Sequence, residues 1–497
     1  MSHPPPTFAR LSIGNTVFRI EPDGADLLVS PPLGHGSLCE RCWVSRRLAT
    51  LEFQGAPTDI CARWTARSYS SARAIARISP LAQSPVQRSA LARVLRNVRT
   101  GLQTNAMPDR PAFMPLVTRI GPDGSTGQEP VLPVADCDCG PPAPLRTSGF
   151  AAIVGRAAGI VNEIIALPAL PGEPDYPVVH VARLANSRHD PNRPFWQGSS
   201  GKGATQEAAL LSTLGEAVEN YAHACRDEAW EAPASPVVCR NELVVKPTTS
   251  HRIAGLNHSN GLGCARGIEA AVLHGVEELI ERHLFYAAWY GCSPADEMHD
   301  LPPALEGMTE EFRRLGLATR LIDLGNLGNV TAVAAVCHPV HPSPARPQFC
   351  LGLAGKQTAC SAAESAFLEM AQIYRGLTHA LANPALAAHA EGLVTGRAEI
   401  GSPFDHGLLF SRIPATQVPA PFGLGPRRPK RALQEENPLA DLRYVNMTPR
   451  DLWRFSDLAI ARALAPRLIP FHFGLKGLET PRAFALDVGI EDIHPLS

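Results

Sequence analysis

The chain has 497 residues, 45% of them hydrophobic and 19% charged, which excludes a disordered polypeptide and calls for two or three globular domains rather than one core. A formal charge of −1 leaves no basic footprint for nucleic acid or for an anionic membrane surface. No apolar run approaches the ~18 residues of a membrane-spanning helix, and MSHPPPTFARLSIG carries no charged-then-apolar signal segment, so a cytoplasmic location is expected.

In chain order, Thr16–Arg19 and Asp26–Val29 read as short strands. Cys39 and Cys42 then form a C-x-x-C beside a helix-like SRRLATLEF, and Cys137 and Cys139 form a C-x-C in PVADCDCGPPAP. Two close pairs of cysteines fit a zinc tetrathiolate. Unligated thiols are the other reading; a disulfide is disfavoured in the cytoplasm, and no thioredoxin-like βαβ pattern surrounds the C-x-x-C. Between the pairs, 83–103 has apolar residues at helical spacing and many arginines, the pattern of an amphipathic surface helix. The Pro- and Cys-rich stretch 130–144 marks a boundary, giving an N-terminal Cys-containing region, 1–143, and a second unit, 144–497.

The second unit opens with β-like runs at 153–165 and 178–185. SSGKGATQEAALLSTLGEAVENYAHAC follows, from Ser199 to Cys225. Here a Gly-Lys-Gly turn is expected to open a helix. At 100° per residue Glu216 lies about 40° from Ser212, and Glu219 about 20° to the other side, so a hydroxyl and two carboxylates share one patch. Glycines allow backbone N–H groups near a phosphate, and Lys202 adds positive charge; carboxylates beside a polyphosphate need a divalent cation between them, for which Mg²⁺ is suited. The segment is not a P-loop, since Trp196 replaces the first glycine of that motif and Gly203 its Ser/Thr. The arrangement recurs at 258–290, where a Gly-rich turn containing Asn260 precedes a helix with Glu278, Glu281 and Arg282. A third helix, 361–375, has Glu369 and Gln372 one turn apart. Strands are expected at 319–324, 330–337 and 348–354. Beyond them come a loop-rich stretch with an exposed 419–431, a helix at 448–464, and a strand at 467–475. Strands alternating with helices predict an α/β fold, mixed sheets covered by the ligand-bearing helices.

S-x-x-x-E-x-x-E after GKG, then SNGL…E-x-x-E-R, then E-x-x-Q resembles the ATP-binding pattern of YcaO-domain proteins, over about residues 144–497. The segment LLVSPPLGHGSLCERCWVSRRLA is similar to the zinc-carrying region that accompanies YcaO domains in the D-type cyclodehydratase subunits of thiazole/oxazole-modified peptide and bacteriocin maturation. The resemblance implies that Lys202, Ser212, Glu216, Glu219, Asn260, Glu278, Glu281, Arg282, Glu369 and Gln372 bind ATP and Mg²⁺. It implies RiPP chemistry too: a Cys, Ser or Thr side chain of a ribosomal precursor peptide attacks the preceding amide carbonyl. The amide oxygen is phosphorylated, and phosphate loss gives an azoline. Activation for a thioamide, or a scaffold role in a maturation complex, are the alternatives.

Four positions depart from the pattern: Asn220 follows Glu219 where Arg is usual, Arg266 stands for a common Asn, Ala270 for a metal-binding Glu, and Ser365 for a frequent Arg. The chain ends His494-Pro495-Leu496-Ser497, where the family's azoline-forming members carry a proline-rich tail. By that resemblance the carboxyl group of Ser497 would reach the active site. With no winged-helix module evident at the start, a separate leader-binding partner protein is expected, together with an azoline dehydrogenase and a homodimer or hetero-complex.

Overall fold

The computed structural model describes residues 8–13, 16–34, 38–53, 66–70, 81–103, 114–139, 149–171, 173–185, 196–225, 235–239, 243–248, 260–433, 437–477, 479–484, 486 and 492–496. The chain begins with strands β1 (Phe8–Ile13), β2 (Thr16–Asp23) and β3 (Asp26–Val29), helix α1 (Glu40–Phe53), β4 (Ala66–Ser70), helix α2 (Pro85–Gln103), β5 (Leu116–Ile120) and β6 (Thr126–Pro130). These strands form one sheet in the order β4-β1-β2-β3-β5-β6. The apolar face of α2, through Ala90, Leu91 and Leu95, packs on Leu11, Phe18, Ile20 and Ile120 of that sheet, as its 3.6-residue pattern requires.

Next, β7 (Val161–Ala166), β8 (Val178–Ala185) and β9 (Trp196–Gly203) form an antiparallel sheet, over which helix α3 (Gln206–Ala224) folds back. The Gly-Lys-Gly segment is therefore the end of a strand and not the expected loop. An added Cβ on Gly201 would overlap the backbone nitrogen of Thr213, and one on Gly203 that of Ala209. The glycines let α3 lie directly on its strand, which is a packing requirement and not a backbone cradle for an anion.

The chain continues through β10 (Val237–Cys239), β11 (Leu243–Pro247), β12 (Leu262–Arg266), α4 (Ile268–Trp289), β13 (Asp296–Glu297), α5 (Pro303–Arg314), β14 (Leu317–Leu327), β15 (Val330–Pro339), β16 (Cys350–Lys356), α6 (Ala359–Ala382), α7 (Pro384–Val394) and α8 (Pro403–Phe410). It closes with β17 (Pro419–Ala420), β18 (Gly425–Arg427), β19 (Arg443–Asn446), helix α9 (Arg450–Phe455), β20 (Leu458–Leu464) and short terminal helical turns. Strand β15 shows how the layers are built. Ala332, Ala334 and Val336 join the core around α4, while Val333, Ala335 and Cys337 join the core around α6. Alternate residues of one strand thus serve two helices on opposite faces.

Three expectations are corrected. The 448–464 helix stops at Phe455; Leu458–Leu464 is instead a strand paired with both β12 and β19, because its apolar residues serve two neighbours. The 467–475 segment contains no strand, and Leu468, Ile469 and Phe471 enter the core as irregular chain. The 419–431 stretch is anchored: Phe422 is buried, and Arg428 and Arg431 pair with the buried Asp492.

Candidate nucleotide and metal sites

Three helices bring their carboxylates to one cavity of about 1140 Å³. Thr205 caps α3 by accepting from Ala208 N, and the helix buries Ala209, Leu214, Ala217, Val218 and Tyr221. That orientation turns Ser212, Glu216 and Glu219 to the cavity, where Glu278, Glu281 and Arg282 of α4 and Glu369 and Gln372 of α6 meet them. Lys202, at the end of β9, completes the wall. Asn260 does not line the cavity; it stands behind Arg282 and accepts a hydrogen bond from its guanidinium.

Backbone N–H groups fix three of the carboxylates. Glu219 accepts from Cys264 N at 2.8 Å, Glu278 from Gly261 N at 2.7 Å, and Glu281 from Gly355 N at 2.7 Å. Glu278 also pairs with Arg282 at 2.6 Å, and Lys202 Nζ with Glu369 at 2.8 Å. Gln372 donates to Ser200 Oγ at 2.8 Å, tying α6 to β9. Among the described residues the Glu216 carboxylate makes no hydrogen bond. It projects into the cavity and stays open to solvent there, with Lys202, Glu278, Glu369 and Arg282 as its charged neighbours.

The electrostatics follow from that crowding. Burial pushes Glu216, Glu219 and Glu278 above the ordinary carboxylate range, and burial followed by the charge of Glu369 raises Glu281 to about 8. Burial opposes the charge of Lys202, but Glu369, Glu216 and Glu281 outweigh it and raise its pKa. Oxygen ligands in excess, one of them unbonded, match the donor set of a hard divalent cation, whose charge would let all of them ionise. The residues present therefore fit Mg²⁺ held between carboxylates and phosphates.

Lys356, at the end of β16, also lines the cavity. No motif in the sequence marks it; the only signal is a Gly-Lys closing an apolar strand before the third helix. Of the four departures, Asn220 and Arg266 line the cavity, Asn220 donating to Ser199 Oγ at 2.8 Å and Arg266 pairing with Asp457 at 3.5 Å. Ala270 and Ser365 do not line it. Ser497 lies outside the described residues. The preceding Asp492–Leu496 segment is buried against the aromatic end of α4, where Trp289 Nε1 donates to Asp492 O at 2.9 Å, and contributes nothing to the cavity wall.

The four cysteines of the N-terminal region meet. The sulfurs of Cys39, Cys42, Cys137 and Cys139 all lie within 4.8 Å of one another, with Cys39–Cys42 at 3.5 Å, Cys39–Cys137 at 3.6 Å and Cys42–Cys139 at 3.3 Å. Tetrahedral Zn–S bonds of ~2.3 Å place sulfurs about 3.8 Å apart. Backbone N–H groups of Cys39, Cys42 and Val134 donate to the sulfurs at 3.4–3.5 Å, the outer support that a thiolate set needs. The hydrogen bond from Cys42 lowers Cys139 to about 5. This set fits a structural zinc ion.

A family profile described as "YcaO cyclodehydratase, ATP- and Mg2+-binding" matches residues 233–446. The matched span contains α4 and α6 and begins after Lys202 and α3. A search of curated proteins returns no match. Among solved structures, a heterocyclase in complex with substrate and cofactor is similar over 96% of this chain and 76% of its own, with a TM-score of 0.58 and 16% identity, which shows a shared fold. YcaO from Methanopyrus kandleri bound with AMPPCP and Mg²⁺ is 19% identical over 61% of this chain and 85% of its own, TM-score 0.40. The E. coli microcin synthetase McbBCD complex is 12% identical over 61% and 87%, TM-score 0.37.

Proposed function

We propose that this chain, whose residues 233–446 match the YcaO family model, is an ATP- and Mg²⁺-dependent enzyme that activates peptide backbone amides and closes azoline rings on a ribosomal precursor. The observation that carries this reading is the convergence of Glu216, Glu219, Glu278, Glu281 and Glu369 from three helices on one cavity, opposite Lys202 and Arg282. The carboxylates would hold Mg²⁺, which when bound neutralises phosphate charge and orients the phosphoryl group for transfer. Lys202, Lys356 and Arg282 would face the phosphates.

The chemistry balances without a redox partner. The side-chain sulfur or oxygen of Cys, Ser or Thr gives up its proton and bonds to the preceding carbonyl carbon; the former amide oxygen takes the γ-phosphoryl group of ATP and leaves as phosphate, and loss of the amide N–H proton completes the ring C=N bond. ADP and one azoline result. An amide oxygen is a poor leaving group until phosphorylated, so the protein's task is positioning and charge stabilisation. Residues 1–143 then form the zinc-carrying unit and 144–497 the nucleotide-binding one. A leader-binding protein and an azoline dehydrogenase would act with them in the cytoplasm, on a homodimer or hetero-complex.

Asn220, Ala270 and Ser365, in place of usual charged groups, favour the second reading, a scaffold subunit that does not turn over ATP. Incubation with ATP, Mg²⁺, a Cys/Ser/Thr-rich precursor and its leader-binding partner separates the readings. Loss of one water per ring with one ADP released is the expected outcome. Exchange of oxygen for sulfur would mark thioamidation, and folded protein with neither product nor ADP would leave the scaffold reading.

A further inference from the structure

The cysteine cluster is joined to the walls of the candidate nucleotide cavity by polar contacts, buried around Arg46 and more exposed along a second arm. Arg46 lies on α1, one turn beyond Cys42, with its side chain 1% exposed. It donates to Leu132 O at 3.2 Å, Pro133 O at 2.7 Å, Tyr221 OH at 2.9 Å and Asp451 Oδ2 at 2.8 Å. Tyr221 OH in turn donates to Asp451 at 2.6 Å. Tyr221 belongs to α3, two residues beyond Glu219 and therefore on the opposite side of the helix. The cluster thus fastens the back of the helix whose front presents Glu216 and Glu219.

A second arm leaves from the other pair of cysteines. Arg454 donates to Asp138 O at 3.2 Å and Cys139 O at 2.7 Å, and Arg450 pairs with the Asp138 carboxylate. Both arginines sit on α9, which also carries Asp451. From α9 the chain runs into β20, which pairs with β12 through Cys264↔Ile460. The Cys264 N–H is the group that holds Glu219 at 2.8 Å. Two routes from one cluster therefore close on α3, one behind the helix and one at its functional carboxylate.

We infer that the metal-loaded cysteine cluster sets the position of α3, with Arg46 as the positioning residue, so that metal occupancy controls the affinity of the cavity for magnesium–nucleotide. A buried arginine with a fixed, multidentate donor set is a rigid strut, and its partners have no water to replace it. Tetrathiolate binding supplies folding free energy to the start of α1 and to the segment that carries Cys137 and Cys139, and the strut passes that order to α3. The nucleotide part of this inference rests on the function proposed above; the ordering of α3 does not.

The test uses the full chain with zinc bound, after zinc release by a chelator, and as the Arg46→Met/Asp451→Leu double variant, whose apolar replacements avoid leaving an unpaired buried charge. Amide hydrogen exchange is read on α3 and on α6, together with metal content and the affinity for Mg²⁺ and a non-hydrolysable ATP analogue. Zinc release should speed exchange in α3 and leave α6 unchanged. It should also weaken nucleotide binding by about tenfold, reversed by added zinc. The double variant should show the same effects with zinc still bound, and Arg46→Lys should restore part of the affinity. Unchanged exchange in α3 on zinc release overturns the inference. Faster exchange in α3 with no nucleotide binding in any form upholds the strut and rejects the nucleotide reading.

Discussion

Lys356 is the cation best placed to follow a moving phosphate. Lys202 and Arg282 are held in ion pairs of 2.8 Å and 2.6 Å, whereas Lys356 meets Glu277 at 3.4 Å and its side chain is 42% exposed. Lys356→Ala should therefore lower kcat for ATP-dependent turnover by about 10²-fold, the effect of removing one charge-stabilising donor. Its melting temperature should fall modestly, because the change removes the 3.4 Å partner of the buried Glu277 carboxylate. Lys356→Arg should recover much of the rate, and steady-state kinetics with thermal unfolding checks both. At this scale the carboxylates were legible in the sequence, because residues three and four apart on a helix must share a face. Lys356 was not, because the place where a strand end emerges depends on the order of the sheet, which no local pattern records.

At the scale of the element, the contact between β9 and α3 decides where Lys202 stands. Gly201→Ala would force a methyl group against the backbone of Thr213, and backbone cannot step aside as a flexible side chain can. A loss of about 1–3 kcal/mol is expected, measured by denaturant unfolding, with weaker nucleotide binding because Lys202 and the carboxylates of α3 move apart. In the sequence alone the same glycines fit a phosphate-binding turn. Glycine permits both a tight turn and a close packing contact, and only the partner distinguishes them. Leu458–Leu464 was misread for a related reason: an apolar run buried on both sides lacks the alternation that identifies a half-exposed strand. The three carboxylate-bearing helices and strands such as β15 were readable, since length and periodicity there agree.

Across the whole molecule, the C-terminal segment is bound by neutral imidazoles. His283 accepts from Ile469 N at 3.1 Å, and burial lowers its pKa to about 4. His406 accepts from Gly474 N and stacks on His494 at 4.5 Å, and burial lowers both of these as well. A group depressed in the folded state binds fewer protons there than in the unfolded chain. Its stabilisation is present above the unfolded pKa of ~6.5 and is lost as pH falls through the folded value; for His283 the full amount is about 3 kcal/mol. The buried carboxylates of the cavity, whose pKa values are raised, change stability in the opposite sense over this range, so the His283 contribution is read as a difference: the melting-temperature gap between wild type and His283→Asn should shrink from pH 7 to pH 5.

Proline and cysteine placement proposes a boundary near residue 143, but no local pattern points to the buried Arg46–Asp451 pair that crosses it. Those residues are 405 positions apart, and nothing in either neighbourhood announces the other. The nucleotide cavity has the same long-range character, since it exists only where three helices meet.

Glu216 gives the most direct access to that central claim. Its carboxylate makes no hydrogen bond among the described residues, and the neighbouring glutamates help to raise its pKa; Glu216→Ala should therefore fold at least as stably as the wild type. Calorimetric titration of ATP into both proteins, with and without Mg²⁺, should show Mg²⁺-dependent binding by the wild type and an affinity about tenfold lower or worse in the variant. Equal affinities in the two proteins, or binding indifferent to Mg²⁺, would contradict the assignment of the cavity.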